Sequence, residues 1–138
     1  MMLASVSVSR SKLCPLFWMR VPAGFPSPAQ DAVQEPLDLN SYLIDHPAAT
    51  YFVRVTGDSM QGAGIHEGDL LIVDRSISVR QNQIVVASLD GEFMVKRLVW
   101  HAQQVQLVSE NPKYSPIKVR SSDFSVWGVV RHVIHEVC

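Results

Sequence analysis

Gln83-Ile84-Val85-Val86-Ala87-Ser88-Leu89-Asp90-Gly91-Glu92-Phe93-Met94-Val95-Lys96-Arg97-Leu98-Val99-Trp100 reads as a β-hairpin. Two runs of β-forming residues flank Asp90-Gly91, a dipeptide that accepts the left-handed backbone of a tight turn between antiparallel strands. Similar runs recur outward from this hairpin, at residues 51–56, 69–73, 104–108, 117–120 and 126–133, each bounded by turn formers. Their spacing of roughly ten residues predicts a compact, mostly β, largely antiparallel domain, barrel-like or sandwich. The one helical signal is short: Asp38 can cap a turn carrying Leu39, Tyr42 and Leu43, which Pro47 stops. Residues 1–36 are rich in serine and proline and read as an extended arm and linker, with residues 37–138 forming the β-rich domain.

The 138 residues suffice for one ordinary core. With 12 basic and 13 acidic residues spread along the chain, the net charge of −1 supplies no clustered basic face for a phosphate backbone, so DNA contact is expected only indirectly. Two cysteines, Cys14 and Cys138, lack the spacing of a zinc site or a disulfide framework and suit a reducing, cytoplasmic setting. No stretch approaches the ~20 apolar residues of a membrane span. Residues 13–19 imitate a signal peptide, but the apolar run contains Pro15 and is followed by Arg20 before Val21-Pro22-Ala23. No phosphate-binding glycine loop is present, and His132 and His135, three apart on an expected strand, should face opposite ways; no cofactor and no metal is expected.

Chemistry is suggested by Ser59, in the turn Gly57-Asp58-Ser59-Met60, and by Lys96 in the second strand of the hairpin. Strand alternation sets Lys96 in one row with Met94, Leu98 and Trp100, an apolar environment that favours a neutral amine. Holding that amine neutral near pH 7.5 needs a shift of about three units, or roughly 4 kcal/mol of differential desolvation. A neutral lysine can take the proton of a serine hydroxyl and make it a nucleophile. The plainer reading is that Ser59 caps a turn and Lys96 extends its charge to solvent. A triad of Ser59, Asp58 and one of His46, His66, His101, His132 or His135 lacks the Gly-x-Ser-x-Gly elbow.

Three segments carry a family resemblance: Phe52-Val53-Arg54-Val55-Thr56-Gly57-Asp58-Ser59-Met60, Gly64-Ile65-His66-Glu67-Gly68-Asp69-Leu70-Leu71-Ile72-Val73-Asp74, and Asp90-Gly91-Glu92-Phe93-Met94-Val95-Lys96-Arg97-Leu98. Together with Asn111-Pro112-Lys113-Tyr114-Ser115-Pro116-Ile117 and Trp127-Gly128-Val129-Val130, they resemble the LexA/UmuD family of self-cleaving serine peptidases over roughly residues 22–134. The resemblance implies Ser59 as nucleophile, Lys96 as general base and Ala23-Gly24 as the bond that the chain cuts in itself. Only 23 residues precede that bond, with prolines and no recognition-helix pattern, so a helix-turn-helix domain is not expected ahead of it.

The resemblance further implies a role in the response to DNA damage. A homodimer would meet a RecA filament on single-stranded DNA, lose its arm, and join a UmuC-like Y-family DNA polymerase in translesion synthesis. The dozen residues from Phe25 to Pro36 can span roughly 40 Å at ~3.3 Å each, which permits cutting within one chain or across a dimer. Two other readings stay open. One is a non-enzymatic polymerase-binding module that retains the fold; the other is a signal-peptidase-like enzyme, for which the chain shows no membrane anchor.

Overall fold

The structure is a computed structural model, and it describes residues 13–17, 20–24 and 34–138. Much of the expected linker and the first residues of the arm lie outside the described residues. The chain divides into two units, one ending at Asp45 and one running from His46 to Cys138. Among the described residues, no helix is long and apolar enough to cross a membrane.

In the first unit, β1 (Cys14–Phe17) pairs antiparallel with β2 (Gln34–Leu37), setting Pro15 opposite Pro36. Within the proline-rich stretch, residues 14–17 and 34–37 are therefore laddered. Both strands of a two-stranded ribbon are edges, where a missing amide is tolerated, so prolines exclude a central strand but not this pairing. A single helical turn, α1 (Leu39–Leu43), follows, with Asp38 accepting from the Asn40 amide at 3.0 Å and the Ser41 hydroxyl at 3.2 Å.

The second unit is built on one antiparallel sheet of seven strands. These are β3 (Thr50–Arg54), β4 (Leu70–Asp74), β5 (Ile84–Leu89), β6 (Glu92–His101), β7 (Gln104–Val108), β8 (Ile117–Lys118) and β9 (Phe124–Ile134), in spatial order β3-β4-β9-β5-β6-β7-β8. The expected hairpin is β5–β6: Leu89 faces Glu92, and Asp90 and Gly91 take φ of 52° and 84°. Positive φ at both turn positions is the backbone that matches strand twist, and glycine adopts it without a Cβ penalty. The last strand is longer than its apolar run suggests because it pairs with β4 along one part and β5 along another. Its register shifts on both sides, stepping past Arg131 against β4 and past Trp127 against β5. Each extra residue bends a strand and sharpens its twist, so one strand can serve two neighbours.

Alternation divides the core between the two faces of the sheet. Val86 joins Val55, Met60, Ile65, Leu71 and Val73, whereas its neighbours Val85 and Ala87 join Leu98, Leu107 and Val129. Met94 and Leu98 pack on the second cluster and Val95 on the first, as the alternation of the hairpin predicts.

Asp74 ends β4 with 2% of its surface exposed. Burial alone would raise its pKa, but the hydroxyl and amide of Ser76, at 2.6 and 2.8 Å, and His46 Nδ1, at 2.6 Å, outweigh this and hold it at about 2. Because the folded value lies below the unfolded one, the carboxylate contributes stability above about pH 4 and loses it as pH falls towards 2. Asp74→Asn is expected to lower unfolding stability by about 1–3 kcal/mol at pH 7. In urea titrations at stepped pH, the gap to the unaltered protein should close between about pH 4 and 2; a gap independent of pH would contradict the account.

Candidate functional site

β3 leads through Gly57 into the turn that holds Ser59. That turn is packed into the core by Met60, which is buried in the first cluster, and is closed by a short 3-10 segment, Gln61–Ala63. The Gln61 amide donates to the Asp58 carbonyl at 3.2 Å and the Ala63 amide to the Met60 carbonyl at 3.0 Å. A loop following β7 grips it from outside. Gly62 N–H donates to the Glu110 carbonyl at 2.7 Å, and the Asn111 side-chain amide donates to the Asp58 carbonyl at 2.9 Å. On the side chain of Asp58, the Tyr114 hydroxyl donates at 2.6 Å and Lys113 Nζ at 3.0 Å. The Tyr114 hydrogen bond, then that of Lys113, holds the Asp58 carboxyl below the ordinary range. The same contacts raise the pKa values of Lys113 and Tyr114.

Lys96 lies mid-way along β6, opposite Val85 and only 9% exposed. Desolvation lowers its pKa, because removing water penalises the ammonium more than the amine. Its Nζ donates to Ser109 Oγ at 2.8 Å and stands 5.6 Å from the centre of the Tyr114 ring. Ser109 follows Val108, the partner of Arg97, so the β6–β7 register carries it opposite Lys96. Glu110 in turn accepts from Arg97 Nε, and Arg97 Nη1 donates to the Asn82 carbonyl at 2.6 Å. The gripping loop is thereby fastened to β6 next to the lysine.

Ser59 and Lys96 line one cleft of about 290 Å³, with Thr56, Met60, Val86 and Met94 among its walls. The lysine amine is bonded to Ser109, and among the described residues no hydrogen bond joins it to Ser59. Ala23 and Gly24 lie in an exposed bend of the first unit, where a Cβ on Gly24 would meet none of the described residues within 4 Å. None of the five histidines hydrogen-bonds Ser59 or Asp58 among the described residues; His46 is engaged with Asp74 and His135 with Asp69. Ser109 was not foreshadowed by any motif. Only the pairing of two strands brings it to Lys96, and its neighbours Asn111, Lys113 and Tyr114 entered the sequence reading without a role.

Residues 15–131 match the Peptidase S24-like family. The chain belongs to that family. It is 46% identical over 133 residues to Protein ImpA of Salmonella typhimurium, an alignment covering 96% of this chain and 90% of the relative. Protein SamA of Salmonella typhimurium strain LT2 is 48% identical over 122 residues, covering 88% and 85% of the two chains. The LexA repressor of Ectopseudomonas mendocina is 46% identical over 100 residues, which span 72% of this chain and 48% of the repressor. As a peptidase-family chain, the protein carries its candidate serine and lysine within the matched span, lining one cleft.

The grip on the serine turn depends on the absence of a side chain at residue 62. A Cβ built there would stand 2.6 Å from the Glu110 carbonyl oxygen, a backbone atom with little freedom to retreat. Gly62→Ala should break the hydrogen bond at that amide and destabilise the fold by about 1–3 kcal/mol. Hydrogen exchange at residue 62 is expected to accelerate well beyond the global change, and unaltered protection there would show that the loop yields freely.

Proposed function

We propose that the chain is a self-cleaving serine peptidase of the DNA-damage (SOS) response, cutting its own Ala23–Gly24 bond with Ser59 as nucleophile and Lys96 as general base. The observation that carries this reading is the desolvated amine of Lys96 in the same cleft as the Ser59 hydroxyl. Neutral Lys96 takes the hydroxyl proton as Ser59 Oγ adds to the Ala23 carbonyl carbon. The tetrahedral species collapses with loss of the Gly24 amine, which receives the proton from the Lys96 ammonium. Water then hydrolyses the ester left on Ser59. The amides of Gln61, Gly62, Ala63 and Gly64 already donate within the turn or to Glu110, so the oxyanion would be met by amides around the nucleophile itself, from Asp58, Ser59 and Met60.

The lysine must reach the serine while it is fastened to Ser109. A neutral amine that donates one N–H to Ser109 keeps its lone pair, and that lone pair is what accepts the Ser59 proton. Ser109 is on this reading a positioning residue. The exposed bend at residues 23–24 offers an unhindered backbone for entry into the cleft.

In the cell, cleavage would follow contact between the homodimer and a RecA filament on single-stranded DNA, and the shortened dimer would serve a UmuC-like Y-family polymerase in translesion synthesis. The family membership and the relatives ImpA, SamA and LexA repressor support this assignment. A non-enzymatic polymerase-binding module is the second reading, favoured by the bond from Lys96 to Ser109 in place of one to Ser59. Alkaline incubation separates the two, because the module would stay full length.

Mass spectrometry of the purified chain after incubation at rising pH should reveal a product that begins at Gly24. Its rate should climb as the lysine loses its proton, and Ser59→Ala and Lys96→Ala should abolish it. Robust cleavage by Lys96→Ala would overturn the role of that residue. Ser109→Ala removes an acceptor that favours the charged amine, so the pH–rate profile should move to lower pH while the plateau rate falls roughly tenfold through lost orientation. A profile that stays in place would leave Ser109 a purely structural part.

A further inference from the structure

Asp69 immediately precedes β4 and His135 immediately follows β9, and the pairing of Leu70 with Ile134 extends by one step to set them opposite each other. The turn before β4 brings in a third donor: the His66 amide donates to Asp69 Oδ2 at 2.8 Å while the Asp69 amide donates to the His66 carbonyl at 3.0 Å. One ligand atom from each of His66, Asp69 and His135 lies within 4.8 Å of the others. His135 Nδ1 stands 2.6 Å from Asp69 Oδ1, and His66 Nδ1 stands 3.8 Å from Asp69 Oδ2. The rings of the two histidines tilt together with centres 5.2 Å apart.

One observation distinguishes this cluster from an ordinary ion pair. His66 Nδ1 is buried without a hydrogen-bond partner, the sole such side-chain atom among the described residues. Its separation from the carboxylate is too long for a hydrogen bond, and leaving a buried ring nitrogen unmet costs about 1–3 kcal/mol. Ligands of a tetrahedral ion with bonds of ~2.0–2.1 Å lie ~3.3 Å from one another. The contacts of the two histidines with the two Asp69 oxygens bracket that value, and the widest separation among the three ligand atoms, up to 4.8 Å, exceeds it by about 1.5 Å, a gap that the two half-exposed histidine side chains close by turning towards the carboxylate.

We propose that His66, Asp69 and His135 bind a divalent transition-metal ion, zinc foremost. Two imidazoles and one carboxylate form a borderline donor set, suited to zinc, cobalt, nickel or copper ions and poorly suited to magnesium or calcium. Asp69, 2% exposed, supplies the fixed negative ligand, and the half-exposed side of the histidines leaves the fourth position to water. Binding replaces the hydrogen bond between His135 and Asp69 with two bonds to the ion and gives His66 Nδ1 a partner. His46 and Asp74 form the same kind of pair at the other end of β4 but have no third metal-ligating side chain beside them among the described residues, so they provide an internal control. The proposal stands independently of the peptidase reading.

The test is a zinc titration of the full chain against a chromophoric chelator, repeated with cobalt to record ligand-field absorption. One ion per chain with tetrahedral cobalt bands is expected, unchanged in His46→Ala and in Cys14→Ser/Cys138→Ser. His66→Ala and His135→Ala should each weaken zinc at least about tenfold, and zinc should raise the thermal midpoint of the unaltered chain but not of these two variants. His66→Ala removes a half-buried ring whose Nδ1 has no hydrogen-bond partner to lose, so its metal-free thermal midpoint should stay close to that of the unaltered chain. Absence of binding, or binding that survives both histidine substitutions, would overturn the proposal.

Discussion

Burial of a single amine governs the arrangement of the site. An ammonium taken out of water loses hydration that no apolar wall replaces, and Lys96 is set between Met94 and Leu98, whose side chains belong to the core. The protein answers with one oxygen, Ser109, and the face of one ring, Tyr114. Both belong to the segment after β7, so the strand order that builds the sheet also supplies the lysine with its surroundings.

That same segment holds the serine turn. Glu110 contributes its carbonyl to Gly62 and its carboxylate to Arg97, next to Lys96 in β6. Tyr114 contributes its hydroxyl to Asp58 and its ring to the lysine. The two candidate groups come from distant points of the chain, yet a few residues after β7 touch the neighbours of both. The ion pair between Lys113 and Asp58 is largely exposed and adds little by itself. The tighter backbone contact at Gly62 carries more of the constraint.

Much of this was legible in the sequence because its signals are local. Asp90-Gly91 fixed a hairpin, alternation along residues 92–100 placed Lys96 among apolar neighbours, and Asp38 marked the start of the helical turn. The contacts that were not legible depend on register between strands. Ser109 meets Lys96 only because β6 and β7 pair as they do, and His135 meets Asp69 only because β9 lies beside β4. For the same reason the spacing of His132 and His135 said nothing about a partner for the latter sixty-six positions away. The pairing of β1 with β2 was hidden by prolines, which forbid central strands and tolerate edges.

β4 carries an acidic group just before its first residue and another at its last, and each is held by a histidine from elsewhere in the second unit. Five positions separate Asp69 from Asp74, so the two carboxylates point to opposite faces of the sheet. Sliding this strand by one step along its neighbours would turn Leu71 and Val73 outward and drag a carboxylate away from its imidazole. A slip of two would restore the faces but still separate both carboxylates from their histidines. The strand that β3 and β9 clasp on either side thus has a single permitted alignment, enforced by charge at its ends as well as by grease in its middle.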